Sequence, residues 1–222
     1  MLRVFERLCG GAADWLLRPQ CAACGVPALT LCPPCRASLE ALAPADAESS
    51  GEIRIVAPWR FGGQLGAAIR RMKFSGCAHI ARDLAPLWAP IVAAAAEGDG
   101  VVVPVPLHWR RRFARGFDQT WLLALHACAA AGLAPPLPAL ARIHAARPPA
   151  RAMLSGAERR ANLAGAFALR VPAEHVAGRR IVLVDDVVTT GSTLAAAAQP
   201  LRDAGAREVL GVAVARATSS RG

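Results

Sequence analysis

A chain of 222 residues is long enough for one α/β core plus a small appendage, so the main body needs no covalent staple. Its 54% hydrophobic content is inflated by alanine, and apolar runs such as residues 91–96 and 194–198 are too short to cross a bilayer, so no transmembrane helix is expected. The formal net charge of +10 points to a polyanionic partner, yet of 26 basic residues only Lys73 is lysine, a bias that makes the placement of each arginine more informative than their number.

Residues 1–19 carry Leu2, Phe5, Leu8, Trp15 and Leu16 at helical spacing, with Glu6 and Asp14 interrupting the apolar run. A secretory signal needs that run unbroken, so the segment reads as an amphipathic helix packed on its own protein. With no export signal, the seven cysteines point to a reducing, cytoplasmic setting, where close pairs bind metal or do redox work. Cys21-Ala-Ala-Cys24 and Cys32-Pro-Pro-Cys35 are two such pairs, seven residues apart. Together Cys21, Cys24, Cys32 and Cys35 supply the four thiolates of a closed, structural zinc site; a redox dithiol is the alternative. Cys9, Cys77 and Cys128 lack partners at ligand spacing and read as small core residues.

An Ala/Pro/Asp/Glu/Ser stretch over residues 43–52 separates this N-terminal part, residues 1–42, from a body over residues 53–218. Strand-like runs in the body fall at residues 53–59, 101–105, 139–143, 166–170, 181–184 and 209–214. Helix-like runs fall at 64–74, 80–97, 117–131, 156–164 and 192–204, and the alternation predicts a mainly parallel sheet flanked by helices. At the end of the first helix Lys73 stands as the one ammonium among guanidiniums, either a phosphate contact or an exposed helix-end residue.

Arg110, Arg111, Arg112 and Arg115 follow the strand at 101–105, where a crevice-facing cluster would grip a pyrophosphate or a nucleic-acid backbone. The plainer alternative is a solvated basic helix start. His108 is the histidine placed to meet the same ligand. Trp109, Phe113 and Phe117 interleave with the arginines; core packing is the expectation for these rings, a stacking platform the alternative.

The most specific segment is Ile181-Val-Leu-Val-Asp-Asp-Val-Val-Thr-Thr-Gly-Ser-Thr-Leu194. An apolar strand ends in Asp185 and Asp186, meets a hydroxyl-rich turn and enters a helix, whose free N–H groups form a ready phosphate site. Gly191 lets the backbone approach an anion, and Thr189, Thr190, Ser192 and Thr193 add donors. A P-loop is excluded, since no lysine precedes the Ser/Thr pair. Adjacent carboxylates beside such a loop suit a ribose 5-phosphate, each accepting from a ring hydroxyl. Strand-end helix capping is the bland alternative.

This segment resembles the phosphoribosyl-pyrophosphate signature of type I phosphoribosyltransferases. That resemblance implies ribose contacts by Asp185 and Asp186 and extends the ligand-binding run through Val187, Val188, Thr189, Thr190, Gly191, Ser192 and Thr193. Pro104-Val-Pro-Leu107, the arginines and Arg115-Gly-Phe-Asp-Gln119 are similar to the ComF/GntX family, as are the two cysteine pairs, Met72-Lys-Phe-Ser-Gly76, Leu154-Ser-Gly-Ala-Glu-Arg-Arg-Ala-Asn162 and Gly165-Ala-Phe167. The family joins an N-terminal zinc module to a phosphoribosyltransferase-like domain. Two positions depart from its pattern: Asp118 stands where an Asn is usual, and Arg151 where a Gln is usual. In the transferase fold, residues 142–160 correspond to a loop that closes over substrate.

Two functions follow as expectations. In the first, a nucleophile displaces pyrophosphate from ribose C1 with Mg²⁺ bridging the phosphates, the aspartates orienting the ribose and Arg110 to Arg115 neutralising the leaving group. The acceptor is not specified by any motif. In the second, the pocket binds the sugar phosphate without turnover and the protein serves DNA uptake, with single-stranded DNA as partner. A zinc ribbon acting alone on nucleic acid ranks last, because the first 42 residues hold only Arg3, Arg7, Arg18 and Arg36.

Overall fold

The computed structural model describes residues 20–28, 31–43, 48–49, 53–143 and 165–217. The helices expected over 1–19 and 156–164, and the expected closing loop beyond Ile143, lie outside the described residues, as does Cys9.

The two most uniformly apolar runs form the centre of the sheet. Strand β7 (Arg180–Val188) pairs parallel with β8 (Glu208–Arg216) on one side and with β4 (Val101–Pro104) on the other. Buried on both faces, these strands show the near-continuous Val/Ile/Leu pattern that a parallel sheet demands. The run at 53–59 contributes two short strands, β2 (Ile55–Val56) and β3 (Trp59–Arg60), both parallel to β8. Pro58 lies between them; without an N–H it cannot sustain a ladder. The expected linker adds an edge strand, β1 (Glu48–Ser49), antiparallel to β2. The sheet order is therefore β1-β2-β8-β7-β4, with β3 continuing along β8 beyond β2. The other two expected strands, β5 (Leu140–Arg142) and β6 (Phe167–Leu169), leave this sheet and pair antiparallel with each other.

Helices cover both faces. Helices α2 (Gly63–Phe74), α3 (His79–Ala95) and α5 (Gln119–Ala131) bury Leu65, Ile69, Met72, Trp88 and Leu123 against Val182, Val184, Val212 and Val214. On the opposite face α6 (Ser192–Asp203) places Leu194, Ala197, Ala198 and Leu201 against Ile181, Leu183 and Ala213, where Leu140 and Phe167 of the small hairpin also pack. Full burial of each large side chain contributes about 1.5–3 kcal/mol, so the faces hold the sheet between two separate apolar layers. No helix among the described residues is long and apolar enough to cross a membrane.

The helix expected over 117–131 begins later, because the segment before it forms a helix of its own, α4 (Trp109–Arg115). Gly116, at φ 78°, terminates α4 in the left-handed conformation that glycine adopts without strain. Asp118 then opens α5: its Oδ1 accepts from the N–H groups of Thr120 and Trp121, and its Oδ2 accepts from Leu107 N–H at 3.1 Å. Both carboxylate oxygens are thus acceptors for backbone N–H groups. An asparagine would turn an amide toward one of them, which gives this departure from the family pattern a local reason.

The cysteine-bearing segment is fastened to the body. The carbonyls of Cys21 and Ala22 accept from Arg71 Nη1 of α2 at 3.0 and 3.2 Å. Cys21, Ala22, Leu31, Cys32 and Cys35 are buried in the same apolar cluster as Leu65, Ile69 and Met72. Helix α1 (Pro33–Ala37) carries Arg36 and Cys35, and residues 40–42 pair with the backbone at Pro58 and Arg60.

Candidate functional site

The carboxylates do not follow β7; they lie within it. The strand expected to stop at residue 184 continues to Val188, keeping register with β8 through Asp185↔Ala213 and Val187↔Ala215. Successive side chains of a strand point to opposite faces. Asp186 therefore falls with Val182 and Val184 on the face covered by α2, α3 and α5, and Asp185 with Ile181 and Leu183 on the α6 face.

Their surroundings differ accordingly. Asp186 is 4% exposed; its Oδ1 accepts from Lys73 Nζ at 2.8 Å and its Oδ2 from Gln119 Nε2 at 3.0 Å. Asp185 is partly exposed, and its Oδ1 accepts the Asp186 N–H at 2.8 Å. Burial and the neighbouring Asp186 charge push its carboxyl up from an ordinary 3.8 to about 7, against the opposing pull of Lys73 and Arg142. Lys73 is thus neither a chance survivor nor a simple helix-end cation: it is the ammonium that pairs with a buried carboxylate.

The C-terminal turn of α2 and helix α4 enclose an open cleft of about 530 Å³, lined by Lys73, Phe74, Gly76, Arg111, Ala114 and Arg115. Among the described residues no carboxylate lines it. Arg115 stacks over the Phe74 ring at 5.3 Å, its Nη1 is buried without a hydrogen-bond partner among the described residues, and burial lowers its affinity for the proton. Arg142, at the end of β5, has the same character: it lies over Phe167 at 5.2 Å, its Nε is buried without a partner among the described residues, and burial followed by Arg111 disfavours its charge. Of the arginines expected to act together, Arg111 and Arg115 meet in the cleft. Arg110 turns onto Trp109 at 5.2 Å, and neither it nor Arg112 lines the cleft.

His108 caps α4, its Nδ1 accepting from Arg110 N–H at 3.4 Å. Burial and then Arg142, Arg110 and Arg111 push its pKa down. The expectation of core packing fails for two rings: Trp109 is 62% and Phe113 89% exposed, while Phe117 packs at the edge of the core. A seven-residue helix of the composition Trp-Arg-Arg-Arg-Phe-Ala-Arg buries no side chain, so its rings face solvent beside the guanidiniums.

The hydroxyl-rich turn also has a definite shape. Gly191 sits at φ 78°, a conformation that favours glycine, and a Cβ there would stand 2.6 Å from Ile55 Cδ1, so that methyl would also have to move. Thr189 and Thr190 are exposed. Thr190 Oγ1 lies 2.8 Å from Ser192 Oγ and accepts the Ser192 N–H at 3.4 Å, so the first N–H of α6 has a partner within the turn. Ala195 N–H bonds back to Gly191 O, the first backbone bond of a helix that starts at Ser192.

The four cysteines form a separate centre. Cys21, Cys24, Cys32 and Cys35 hold their sulfurs within 4.8 Å of one another, and Cys24 and Cys32 Sγ are 3.7 Å apart. A thiolate tetrahedron with metal–sulfur bonds of about 2.3 Å has edges of roughly 3.8 Å, so the donor set and its spacing fit a metal ion. Burial raises the Cys21 thiol, but hydrogen bonding to the backbone of Cys24, Cys32 and Ala23 outweighs it and brings the thiol down to about 6. Burial raises Cys35. A positive charge at the centre of the four sulfurs is what would reconcile these opposed neighbours.

Reasoning from sequence missed Gln119 and Arg142 as members of the charged cluster. Gln119 was readable as the last residue of the Arg-Gly-Phe-Asp-Gln run, but its partner lies 67 residues away.

Comparisons with known proteins agree with this geometry. A family model described as a phosphoribosyl transferase domain matches residues 134–222, which include β7, the Gly191 turn and α6. The DNA utilization protein YhgH of Salmonella typhimurium is 34% identical over 194 residues, covering 85% of this chain and 80% of that protein. Competence protein F of Haemophilus influenzae is 34% identical over 158 residues, 69% of this chain and 68% of its own. A 44-residue stretch, 19% of this chain, is 54% identical to adenine phosphoribosyltransferase of Mycolicibacterium smegmatis, of which it covers 24%. With a parallel sheet flanked by helices, a four-cysteine cluster at the N-terminus and relatives matched over most of their length, this chain belongs to the ComF/GntX family.

Proposed function

We propose that this chain binds phosphoribosyl pyrophosphate at the C-terminal end of its sheet, as a protein of phosphoribosyltransferase type. One observation carries the reading: near its end β7 holds a partly exposed carboxylate, Asp185, and the strand runs on into a turn whose Gly191 takes the left-handed conformation glycine favours, directly before α6. Open α/β sheets bind ligands at this end, and a helix N-terminus favours phosphate. In this reading the turn from Thr189 to Thr193 takes the 5-phosphate, Asp185 meets ribose hydroxyls, and Lys73, Arg111 and Arg115 take the pyrophosphate. Mg²⁺ would supply further charge neutralisation when bound with the phosphates. Zinc on the four cysteines would be structural, since a closed thiolate shell leaves no position for substrate.

The test is a thermal-shift titration of the full chain with phosphoribosyl pyrophosphate and Mg²⁺. Stabilisation should rise with ligand by roughly 2.7 kcal/mol at 100 times Kd and disappear in Asp185→Asn. An unshifted melting curve at millimolar ligand rules the reading out. Release of pyrophosphate with an acceptor present would show turnover.

A second reading is favoured by the exposed Trp109 and Phe113 beside Arg110, Arg111 and Arg112. Aromatic rings among cations suit single-stranded DNA, and the relatives named for DNA utilization and competence accord with it. Salt-sensitive binding of single-stranded DNA, lost in Trp109→Ala/Phe113→Ala, is the expected result. Binding unaffected by that pair of substitutions removes this surface from consideration.

A further inference from the structure

The adjacent aspartates have equal claims on a sugar when read as a sequence, but their environments divide them. We propose that Asp186 is a positioning residue that, braced by Gln119, holds the Lys73 ammonium at the wall of the α2–α4 cleft to receive an anion of pyrophosphate class, while Asp185 alone is the carboxylate presented to a ligand's hydroxyls. The part concerning Asp185 rests on the reading above; the part concerning Asp186 does not.

The geometry runs in one direction. Lys73 lines the cleft and keeps its side chain 20% exposed, while the carboxylate it pairs with is 5% exposed. The ammonium is thus the accessible member of the pair and the carboxylate the anchor behind it. Both Asp186 oxygens are engaged, one by Lys73 and one by Gln119, whose amide is itself 3% exposed and leaves its Oε1 without a partner among the described residues. A carboxylate fixed in this way cannot swing out to a sugar without leaving the Lys73 ammonium and a buried amide unmatched. Asp185 is in the opposite situation. One of its oxygens accepts a backbone N–H, and no described side chain hydrogen-bonds the other.

The cleft supplies the chemical class of its occupant. Among the described residues three cations line it and no carboxylate does, so a multiply charged, oxygen-rich anion is the group that would satisfy them, Arg115 Nη1 included. Lysine is suited to the anchored position: a compact ammonium can bond a buried carboxylate with one N–H and still turn two others toward the cleft.

The experiment uses two probes on the full chain, inorganic pyrophosphate and ribose 5-phosphate, each followed by calorimetric titration. Asp186→Asn and Lys73→Met should each weaken pyrophosphate at least tenfold, and the double variant should be no worse than either alone, because the two residues act as one device. Lys73→Arg should recover a large part of the loss. Asp185→Asn should show the reverse selectivity, losing ribose 5-phosphate at least tenfold with pyrophosphate held within about threefold. Circular dichroism and a melting curve accompany each variant. If Asp186→Asn does not fold, Gln119→Leu takes its place, with a smaller loss for pyrophosphate and none for ribose 5-phosphate. Wild-type chain that binds no pyrophosphate overturns the proposal. So do losses that multiply in the double variant, or ribose 5-phosphate losses of equal size in Asp185→Asn and Asp186→Asn. The expected pyrophosphate pattern with no binding of ribose 5-phosphate by the wild-type chain leaves the role of Asp186 standing and removes the phosphoribosyl reading.

Discussion

At the end of the sheet where β4, β7 and β8 begin, arginines meet carboxylates: Arg179 and Arg207 converge on a partly exposed Asp99 at 3.6 and 2.7 Å, and Arg180 reaches a part-buried Glu208 at 2.8 Å. At the end where β4 and β7 finish, Arg115 and Arg142 are drawn partly inside, lie over phenylalanine rings and keep a buried nitrogen without a partner among the described residues. Residue type is the same at both ends, and the environment is reversed. Matched surface charges contribute little to stability, whereas charges withdrawn from water without a counter-charge are costly unless something else completes them. In the function proposed above, this arginine-rich chain would mark its ligand-binding end by the guanidinium nitrogens left unpartnered there.

The harshest way to break the contrast is at the turn. Gly191→Val forces a β-branched residue to φ 78° and into Ile55, and should cost about 2 kcal/mol or more while abolishing ligand-induced stabilisation, both read from melting curves with and without phosphoribosyl pyrophosphate. Next comes Arg115→Met, expected to weaken pyrophosphate about tenfold by calorimetry. Because that guanidinium is partly buried without a full set of partners, the same variant should leave the melting temperature unchanged or raise it by roughly 2 °C. A fall of several degrees would place Arg115 among the folding residues instead.

A gentler test titrates the carboxylate. Asp185 ionises near 7 in the folded chain and near 3.8 otherwise, so between these values the folded state holds the extra proton and stability should fall as pH rises. Asp185→Asn should flatten that part of a pH–stability curve measured by urea unfolding; an unchanged slope contradicts the assignment. Smallest is Glu208→Gln at the opposite end, where the loss of a part-buried pair should cost no more than about 1 kcal/mol and leave both probes bound as before.

Much of this arrangement could be read before folding. The apolar runs of β7 and β8 announced a buried parallel sheet, the glycine turn announced a helix start, and the two cysteine pairs announced a metal-sized cluster. What escaped was non-local. Nothing in Ala139 to Ile143 distinguishes a strand of the main sheet from one arm of a separate hairpin, because the alternation of side chains is the same in both. The aspartates looked alike because spacing along a chain reports neither which face of a strand each occupies nor which helix lies there. Lys73 stood out by composition, yet its partner is 113 residues distant, and only the packing of α2 beside β7 brings them together. The exposed rings of α4 were misjudged for a related reason: hydrophobicity predicts burial on average, and a short helix whose arginines surround it leaves its aromatics in water.

Arg71 gives the cysteine cluster a mechanical reach beyond its own residues. Its guanidinium grips the carbonyls of Cys21 and Ala22, and two positions further along the same helical turn stands Lys73. Chelation or thiol oxidation that unravelled the knuckle would release the brace on that turn, so the integrity of a sulfur cage on one flank is felt as the aim of an ammonium on another.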